Sequence, residues 1–345
     1  MTVTGPSRRT RDRGTGRQSP PVSRRFLDDQ PFVLCIEATL PGLDLVTWIE
    51  QRRAELSRDL LEAGAILFRG FAVVTATDFA RVARANSPDL LDYLERAAPR
   101  QEVADKVFTS TEFSPDQWIP MHHEMSYSHN WPSLLYFFCE KAAATGGETP
   151  LASERRVYPQ IPADLRDRFT AHGVRYVRNY SDTLDLPWQD VFQTSDKSVV
   201  EAYCRETATD FAWMGRDGLR TSAVRQAVVQ HPKTGEMVWF NHSHLFHGSN
   251  MPADVRSSLL SEVGVQGLPR NAYFGDGSPI EDEAIAFIRA LYQESSVTFD
   301  WRNGDVLVVD NFLATHGRAP FTGDRSTLVA MSDLYVNSTV IGSVQ

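Results

Sequence analysis

Long apolar runs are missing. No stretch of this 345-residue chain approaches the roughly 18–20 consecutive apolar residues that span a bilayer, which argues against a membrane role. Cysteine is scarce. Cys35, Cys139 and Cys204 are an odd number, with no Cys-x-x-Cys pair and no metal-type spacing. They read as reduced core thiols of a cytoplasmic protein, not as a disulfide frame. Residues 1–25 contain neither Lys nor Glu, and seven Arg against one Asp give them a net charge of +6. The whole chain stands at −9, which leaves −15 on residues 26–345. So acidic a body lacks the basic face that a nucleic-acid binder needs. The basic segment also lacks an apolar h-region, so it is not a secretory signal. Its Gly and Pro speak against the amphipathic helix of a transit peptide. Residues 1–28 are expected to form a disordered basic arm, and residues 29–345 a single domain.

What the chain has is an ordinary globular composition, 42% hydrophobic and 23% charged, with 19 Phe, 10 Tyr and 7 Trp for a sizeable core. Leu45, Trp48, Ile49, Leu56 and Leu60 recur at helical spacing, which predicts one helix over 45–61. Ala65–Phe68 reads as a buried strand. A helix follows over 77–85 with Thr77 as N-cap, and a second short one over 88–97. Strands are expected at Leu134–Cys139, Val174–Tyr180, Met237–Phe240, Val297–Trp301, Val306–Val309 and Ser326–Leu334. A helix is expected at Glu281–Gln293. Short strands joined by Gly, Asp and Asn turns dominate the second half. That pattern suggests a mainly β fold with helical decoration, a jelly roll or similar double-sheet barrel.

Nine histidines are candidates for metal work. His122 and Glu124 stand two apart. In a strand or extended segment, i and i+2 share a side, so both can reach one ion while His123 faces away. A second histidine from a distant strand would complete two His and one carboxylate. That facial set leaves open positions and suits non-haem Fe(II) oxygenases. His316, delivered by the buried strand 306–309, is the candidate. Arg325 opens the next strand. If those two strands are neighbours, its planar guanidinium lies near the metal and suits the far carboxylate of a dicarboxylic acid. Alone, Arg325 would read as a surface residue of an edge strand. His242, His244 and His247 could be a separate zinc site, but their spacing without Cys or an adjacent Glu is poor. The chain also lacks the HExxH and HxxEH patterns of zinc hydrolases. A non-catalytic jelly-roll binding protein is the third class considered.

Several ordered blocks then carry a resemblance. They are His-His-Glu-Met-Ser-Tyr at 122–127, Gly-Gly-Glu-Thr-Pro-Leu at 146–151, Trp-Gln-Asp-Val-Phe-Gln-Thr at 188–194, and His-Pro-Lys-Thr-Gly-Glu-Met-Val-Trp-Phe-Asn-His at 231–242. Tyr-Phe-Gly-Asp-Gly-Ser-Pro-Ile at 273–280 and the segment Asp310–Arg325 complete the set. The chain resembles the taurine dioxygenase (TauD/TfdA) family of Fe(II)- and 2-oxoglutarate-dependent oxygenases, and within it the SyrP-like branch. The resemblance implies a double-stranded β-helix of the clavaminate synthase type. It implies a metal triad of His122, Glu124 and His316, with Arg325 on the C5 carboxylate of 2-oxoglutarate and the Thr149 hydroxyl also touching that cosubstrate. Glu124 stands where many members have Asp and where related halogenases have Ala or Gly. A filled position favours hydroxylation over chlorination. The implied cofactors are Fe(II), 2-oxoglutarate and O2. The implied substrate is an amino acid, free or held as an aminoacyl group on a peptidyl carrier protein. Desaturation and epoxidation remain alternative outcomes. Ser126, Tyr127, Asn241 and Arg318 are the candidate substrate-side residues, with Arg318 also read as a structural group.

Overall fold

The computed structural model describes residues 20–28, 31–92, 101–110, 113–181 and 185–337. Two facing sheets form its centre. The larger has eight strands. Seven strands of the first part of the chain are labelled here: β1 (Val22–Phe26), β2 (Leu34–Ala38), β3 (Ala65–Arg69), β4 (Glu102–Ala104), β5 (Val107–Thr109), β6 (Ile119–His122) and β7 (Asn130–Lys141). The large sheet runs β1, β2, β3, Val306–Asp310, β7, Ser326–Val336, β5, β4. All its pairings are antiparallel except β2 with β3. The smaller sheet orders Ser296–Val297, Leu151–Ser153, Ala314–Arg318 and β6. This is the expected double-stranded β-helix.

The central strands carry continuous apolar runs, Leu134–Cys139 and Val306–Val309, because both faces are covered. Leu134, Tyr136 and Phe138 of β7 pack outward with Ile66, Phe68, Val306 and Val308 against α1 (Leu45–Glu50), α2 (Arg53–Ala63) and α3 (Ala76–Asn86). Leu135, Phe137 and Cys139 point inward with Leu67, Leu307 and Val309, toward Leu151 and Ala314 of the small sheet. A period of two splits one apolar run between two cores. A further four-stranded sheet includes Val174–Tyr180 and Arg270–Phe274, and the helix Asp282–Glu294 supplies Ile285 and Ile288 to the same third core.

Several expectations need correction. The 45–61 helix is two helices, α1 and α2, broken at Gln51 and Arg52. The N-cap of α3 is Thr75, not Thr77. Thr75 Oγ1 accepts from the Asp78 N–H at 3.1 Å, and Asp78 accepts from the Thr75 N–H at 3.1 Å, a reciprocal capping box. Residues 88–92 are not helical, and Leu90 instead bridges Ser332; 93–97 lie outside the described residues. Of Val297–Trp301 only Val297 is in a strand, although Phe299 and Trp301 are buried as the alternation implied. The strands 306–310 and 326–336 are not neighbours, since β7 lies between them. Residues 1–19 of the basic arm lie outside the described residues, but Val22–Phe26 is an edge strand. It pairs with β2 from Val22↔Ala38 to Phe26↔Leu34. Arg24 also forms ion pairs with Glu55 and Asp59 of α2.

Candidate active site

The small sheet brings the two histidines together. His122 ends β6 and His316 is its register partner on Ala314–Arg318. Directly opposed residues of an antiparallel pair project from the same face, and the two imidazole centroids lie 4.3 Å apart. Glu124 arrives by another route than a continuing strand. β6 stops at His122, and the backbone turns through Met125 at φ 58°. A non-glycine residue at positive φ is strained by about 1–3 kcal/mol and persists where its surroundings hold it. Glu124 Oε2 lies 3.7 Å from His316 Nε2. The three donor atoms of His122, Glu124 and His316 all fall within 4.8 Å of one another, and no other such set of three exists among the described residues.

Two of the three donors are held from behind. The His122 Nδ1–H donates to Pro120 O at 2.8 Å, which leaves Nε2 to the site. Asn311, which sequence reasoning missed, clamps the backbone of Glu124. Its Oδ1 accepts from the Glu124 N–H at 2.8 Å, and its Nδ2 donates to Glu124 O at 3.0 Å and to Pro132 O at 2.8 Å. His123 faces away as expected and is fully buried. Its nitrogens meet Asn311 O at 2.6 Å on one side, and Trp239 O at 2.9 Å and Glu154 Oε1 at 3.1 Å on the other.

On one side of the donors a small cleft of about 40 Å³ is lined by His122, His316, Phe137, Thr149, Arg325 and Thr327 among others. Thr149 is buried, and its Oγ1 accepts from Trp301 Nε1–H at 3.0 Å, which leaves the threonine proton for a ligand. Arg325 donates from Nε to Gly147 O at 3.1 Å. Gly147 has φ +76°, and a Cβ there would stand 3.0 Å from Arg325 Cδ and Nε, so glycine lets the side chain lie flat along the loop. Burial and then the like charge of Arg318 lower the Arg325 guanidinium to about 10, which still leaves it charged near neutrality. No carboxylate pairs with it among the described residues. Arg318 is otherwise committed. It donates to the carbonyls of Phe113, Ser114 and Gln117 at 3.1, 2.7 and 2.8 Å.

Ser126 and Tyr127 lie on a different side of the donors, around His242. Tyr127 packs against the His242 and Phe246 rings at 5.0 and 5.4 Å. Ser126 Oγ is 2.6 Å from His242 Nδ1. Burial, reinforced by the surrounding histidines, holds His242 well below the usual imidazole range, hence neutral. Asn241 is turned away from both sides. It is fully buried, its Nδ2 donates to Ala227 O, and its Oδ1 accepts from Ser243 N–H and Oγ–H. It shapes a turn rather than facing the cleft. His244 and His247 do not join His242 in a metal cluster: His244 Nε2 bonds Met121 O, and His247 Nδ1 meets Ser249 Oγ.

Two imidazoles and one carboxylate on one side of a point, with open space beyond, suit a divalent iron with exchangeable positions. A charged guanidinium with no ion pair among the described residues, lining the same cleft, suits an anionic cosubstrate. Comparisons with known proteins agree. Residues 28–331 match the family described as taurine catabolism dioxygenase TauD, TfdA family. The chain is 40% identical over 274 residues to the dapdiamide synthesis protein DdaC of Enterobacter agglomerans, covering 79% of this chain and 83% of that protein. It is 31% identical over 333 residues to a clavaminate synthase-like protein of Arabidopsis thaliana, covering 91% and 97%. Among solved structures it shares the fold of PvcB from Pseudomonas aeruginosa, with TM-score 0.52, 16% identity, and 93% of this chain and 96% of that chain covered. PvcB is described as an Fe, alpha-ketoglutarate dependent oxygenase from an isonitrile synthetic pathway. The family match extends over most of the sequence, and the chain belongs to the TauD, TfdA family of dioxygenases.

Proposed function

We propose that the protein is an Fe(II)- and 2-oxoglutarate-dependent dioxygenase that hydroxylates an unactivated C–H bond of an amino acid or a carrier-bound aminoacyl group in natural-product biosynthesis. The net reaction is R–H + 2-oxoglutarate + O2 → R–OH + succinate + CO2. The observation that carries this reading is the convergence of His122, Glu124 and His316 within 4.8 Å, beside the guanidinium of Arg325, which has no ion pair among the described residues. Biosynthetic relatives support the pathway class, since one is named for dapdiamide synthesis and another is described as belonging to an isonitrile pathway.

His122, Glu124 and His316 would hold Fe(II). Bound iron would supply the reduction of O2, coupled to oxidative decarboxylation of the cosubstrate. The chain's own residues position and exclude. Arg325 takes the C5 carboxylate through two charge-assisted hydrogen bonds, and the Thr149 hydroxyl donates to the same molecule. Asn311 fixes the Glu124 backbone, so the carboxylate stays in place as the other ligands exchange. Phe137 and its apolar neighbours keep bulk water from the reacting atoms.

The test is a mass-spectrometric screen of free amino acids and aminoacyl thioesters with Fe(II), 2-oxoglutarate and O2. The expected result is one added oxygen atom per succinate formed. Loss of two hydrogens would assign desaturation, and added oxygen on an alkene substrate would assign epoxidation. Absence of succinate with every substrate and without any would refute the reading.

A further inference from the structure

His242 is a buried imidazole with one nitrogen committed and the other not. Its backbone N–H donates to the Tyr176 hydroxyl at 2.7 Å, and its Nδ1 meets Ser126 Oγ at 2.6 Å. The ring stands edge-on to His122, with 5.4 Å between centroids, and to Tyr127 at 5.0 Å. Nε2 takes no partner among the described residues, although the residue is only 5% exposed. An imidazole nitrogen left uncommitted beside His122 is available to a bound ligand.

The serine assigns the proton. Ser126 is fully buried, and His242 is the single partner of its hydroxyl among the described residues. If Oγ accepted from an Nδ1–H, the hydroxyl hydrogen would be sealed away without an acceptor. If Oγ–H donates to Nδ1, that hydrogen is satisfied and the neutral ring carries its proton on Nε2. The uncommitted nitrogen is then a donor, and its match is an acceptor. That acceptor is not the cosubstrate, whose cleft is lined by Thr149 and Arg325 and not by His242. The hydrogen-bond and ring partners of His242 among the described residues are Ser126, Tyr127, Tyr176, Phe246 and His122, none of them Lys or Arg; Arg178, Arg225 and Arg270 stand behind Tyr127, Tyr176 and Phe246 and not against the ring. Such a neighbourhood suits a neutral acceptor better than a carboxylate.

We propose that His242 is a substrate-positioning residue whose Nε2–H donates to the carbonyl oxygen of the substrate's acyl group, as in a thioester or amide. This rests on the dioxygenase reading and narrows its substrate to a carbonyl-bearing, uncharged acyl derivative.

Two measurements test it on the full chain. The first is 15N NMR of histidine-labelled protein loaded with Zn(II) and N-oxalylglycine, with His242 assigned by its loss in His242→Gln. The neutral Nε2–H tautomer is expected, and an Nδ1–H tautomer overturns the proposal. The second is anaerobic binding to the Fe(II)–2-oxoglutarate enzyme. The probes are aminoacyl N-acetylcysteamine thioesters, each paired with the amino alcohol that lacks the carbonyl. At least one thioester should bind more tightly than its alcohol. In His242→Ala that binding should weaken by roughly 10–100-fold, with 2-oxoglutarate affinity within about twofold. His242→Gln, which keeps an N–H donor, should recover most of the loss. The proposal is overturned if no thioester outbinds its alcohol or if His242→Ala binds like the wild type. It is equally overturned if His242→Ala loses substrate and 2-oxoglutarate together, since that would make the residue a structural support. A wild type that shows no visible band with Fe(II) and 2-oxoglutarate alone would instead refute the dioxygenase reading, before any probe is added.

Discussion

Arg325 and Arg318 lie seven residues apart in the same segment, yet their hydrogen bonds divide them. Arg318 spends its guanidinium on three backbone carbonyls, whereas Arg325 gives one bond to Gly147. Arg325→Ala should therefore weaken apparent 2-oxoglutarate affinity by roughly tens- to thousands-fold, the equivalent of about 2–5 kcal/mol for a buried carboxylate stripped of its partner. Arg325→Lys should recover only part, because an ammonium cannot make the planar pair. A titration in which Arg318→Ala shows the larger cosubstrate defect would exchange the two roles. Asn311→Ala should lower metal affinity by about 10–100-fold, the usual effect of removing a group that orients a ligand. Equilibrium dialysis with Zn(II) reads this without turnover, and unchanged affinity would show that Glu124 needs no clamp. At this scale the residues that converge on the cleft were legible, because His122, Glu124, His316 and Arg325 are chemically distinctive and sit in ordered blocks. Asn311 was not. Its role is a set of bonds to backbone 187 and 179 positions away in the chain, and nothing local marks it. Asn241 misled for the converse reason, since a polar residue beside histidines looks like a contact until its bonds to Ala227 and Ser243 are seen.

Elements position these residues, and one junction between them can be tested through pH. Arg178 on Val174–Tyr180 and Arg270 on Arg270–Phe274 are register partners, and both grip Asp185. Burial alone would raise the Asp185 carboxyl. Hydrogen bonds and charge from Arg270 and Arg178 outweigh it and hold the group at about 2, against 3.8 unfolded. The folded state therefore binds fewer protons than the unfolded one between those values. The stabilisation, about 2 kcal/mol at 1.36 kcal/mol per pH unit, is complete above about pH 4 and lost as pH falls toward 2. Asp185→Asn should cost roughly 3–5 kcal/mol near neutrality, because it removes the carboxylate that the buried Arg178 and the half-buried Arg270 share. Urea unfolding should show the gap from wild type narrowing as pH falls from about 4. A pH-independent gap would contradict the ion-pair account. Element types were readable where burial was two-sided, as in the apolar runs of β7 and 306–310. Boundaries were not. One helical period runs across the break at Gln51 and Arg52, and two threonines compete for the cap that Thr75 takes. The alternation at 297–301 reports the real burial of Phe299 and Trp301, but their backbone serves to aim Trp301 at Thr149 rather than to extend a sheet.

For the molecule as a whole, the sheets set where chemistry occurs and the helices seal the back of the large sheet. The basic N-terminal stretch is partly structural, since β1 caps the sheet edge and Arg24 reaches α2. The sequence could not reveal this, because Val22–Phe26 is mostly exposed and carries no strong period. Deleting residues 1–19 should leave melting temperature and succinate formation unchanged. Deleting 1–27 should lower the melting temperature by roughly 1–3 °C, as expected for losing one to two kcal/mol of edge pairing in a chain of this length. Equal stability of both truncations would show that β1 contributes nothing. The central claim is that His122, Glu124 and His316 hold iron for 2-oxoglutarate to chelate. The direct measurement is anaerobic titration of Fe(II) and 2-oxoglutarate into wild type, His122→Ala and His316→Ala, followed by the visible metal-to-ligand charge-transfer band. The account predicts a band that saturates at one iron per chain in the wild type and is absent in both variants. A band of equal intensity in either variant, or none in the wild type, would contradict it.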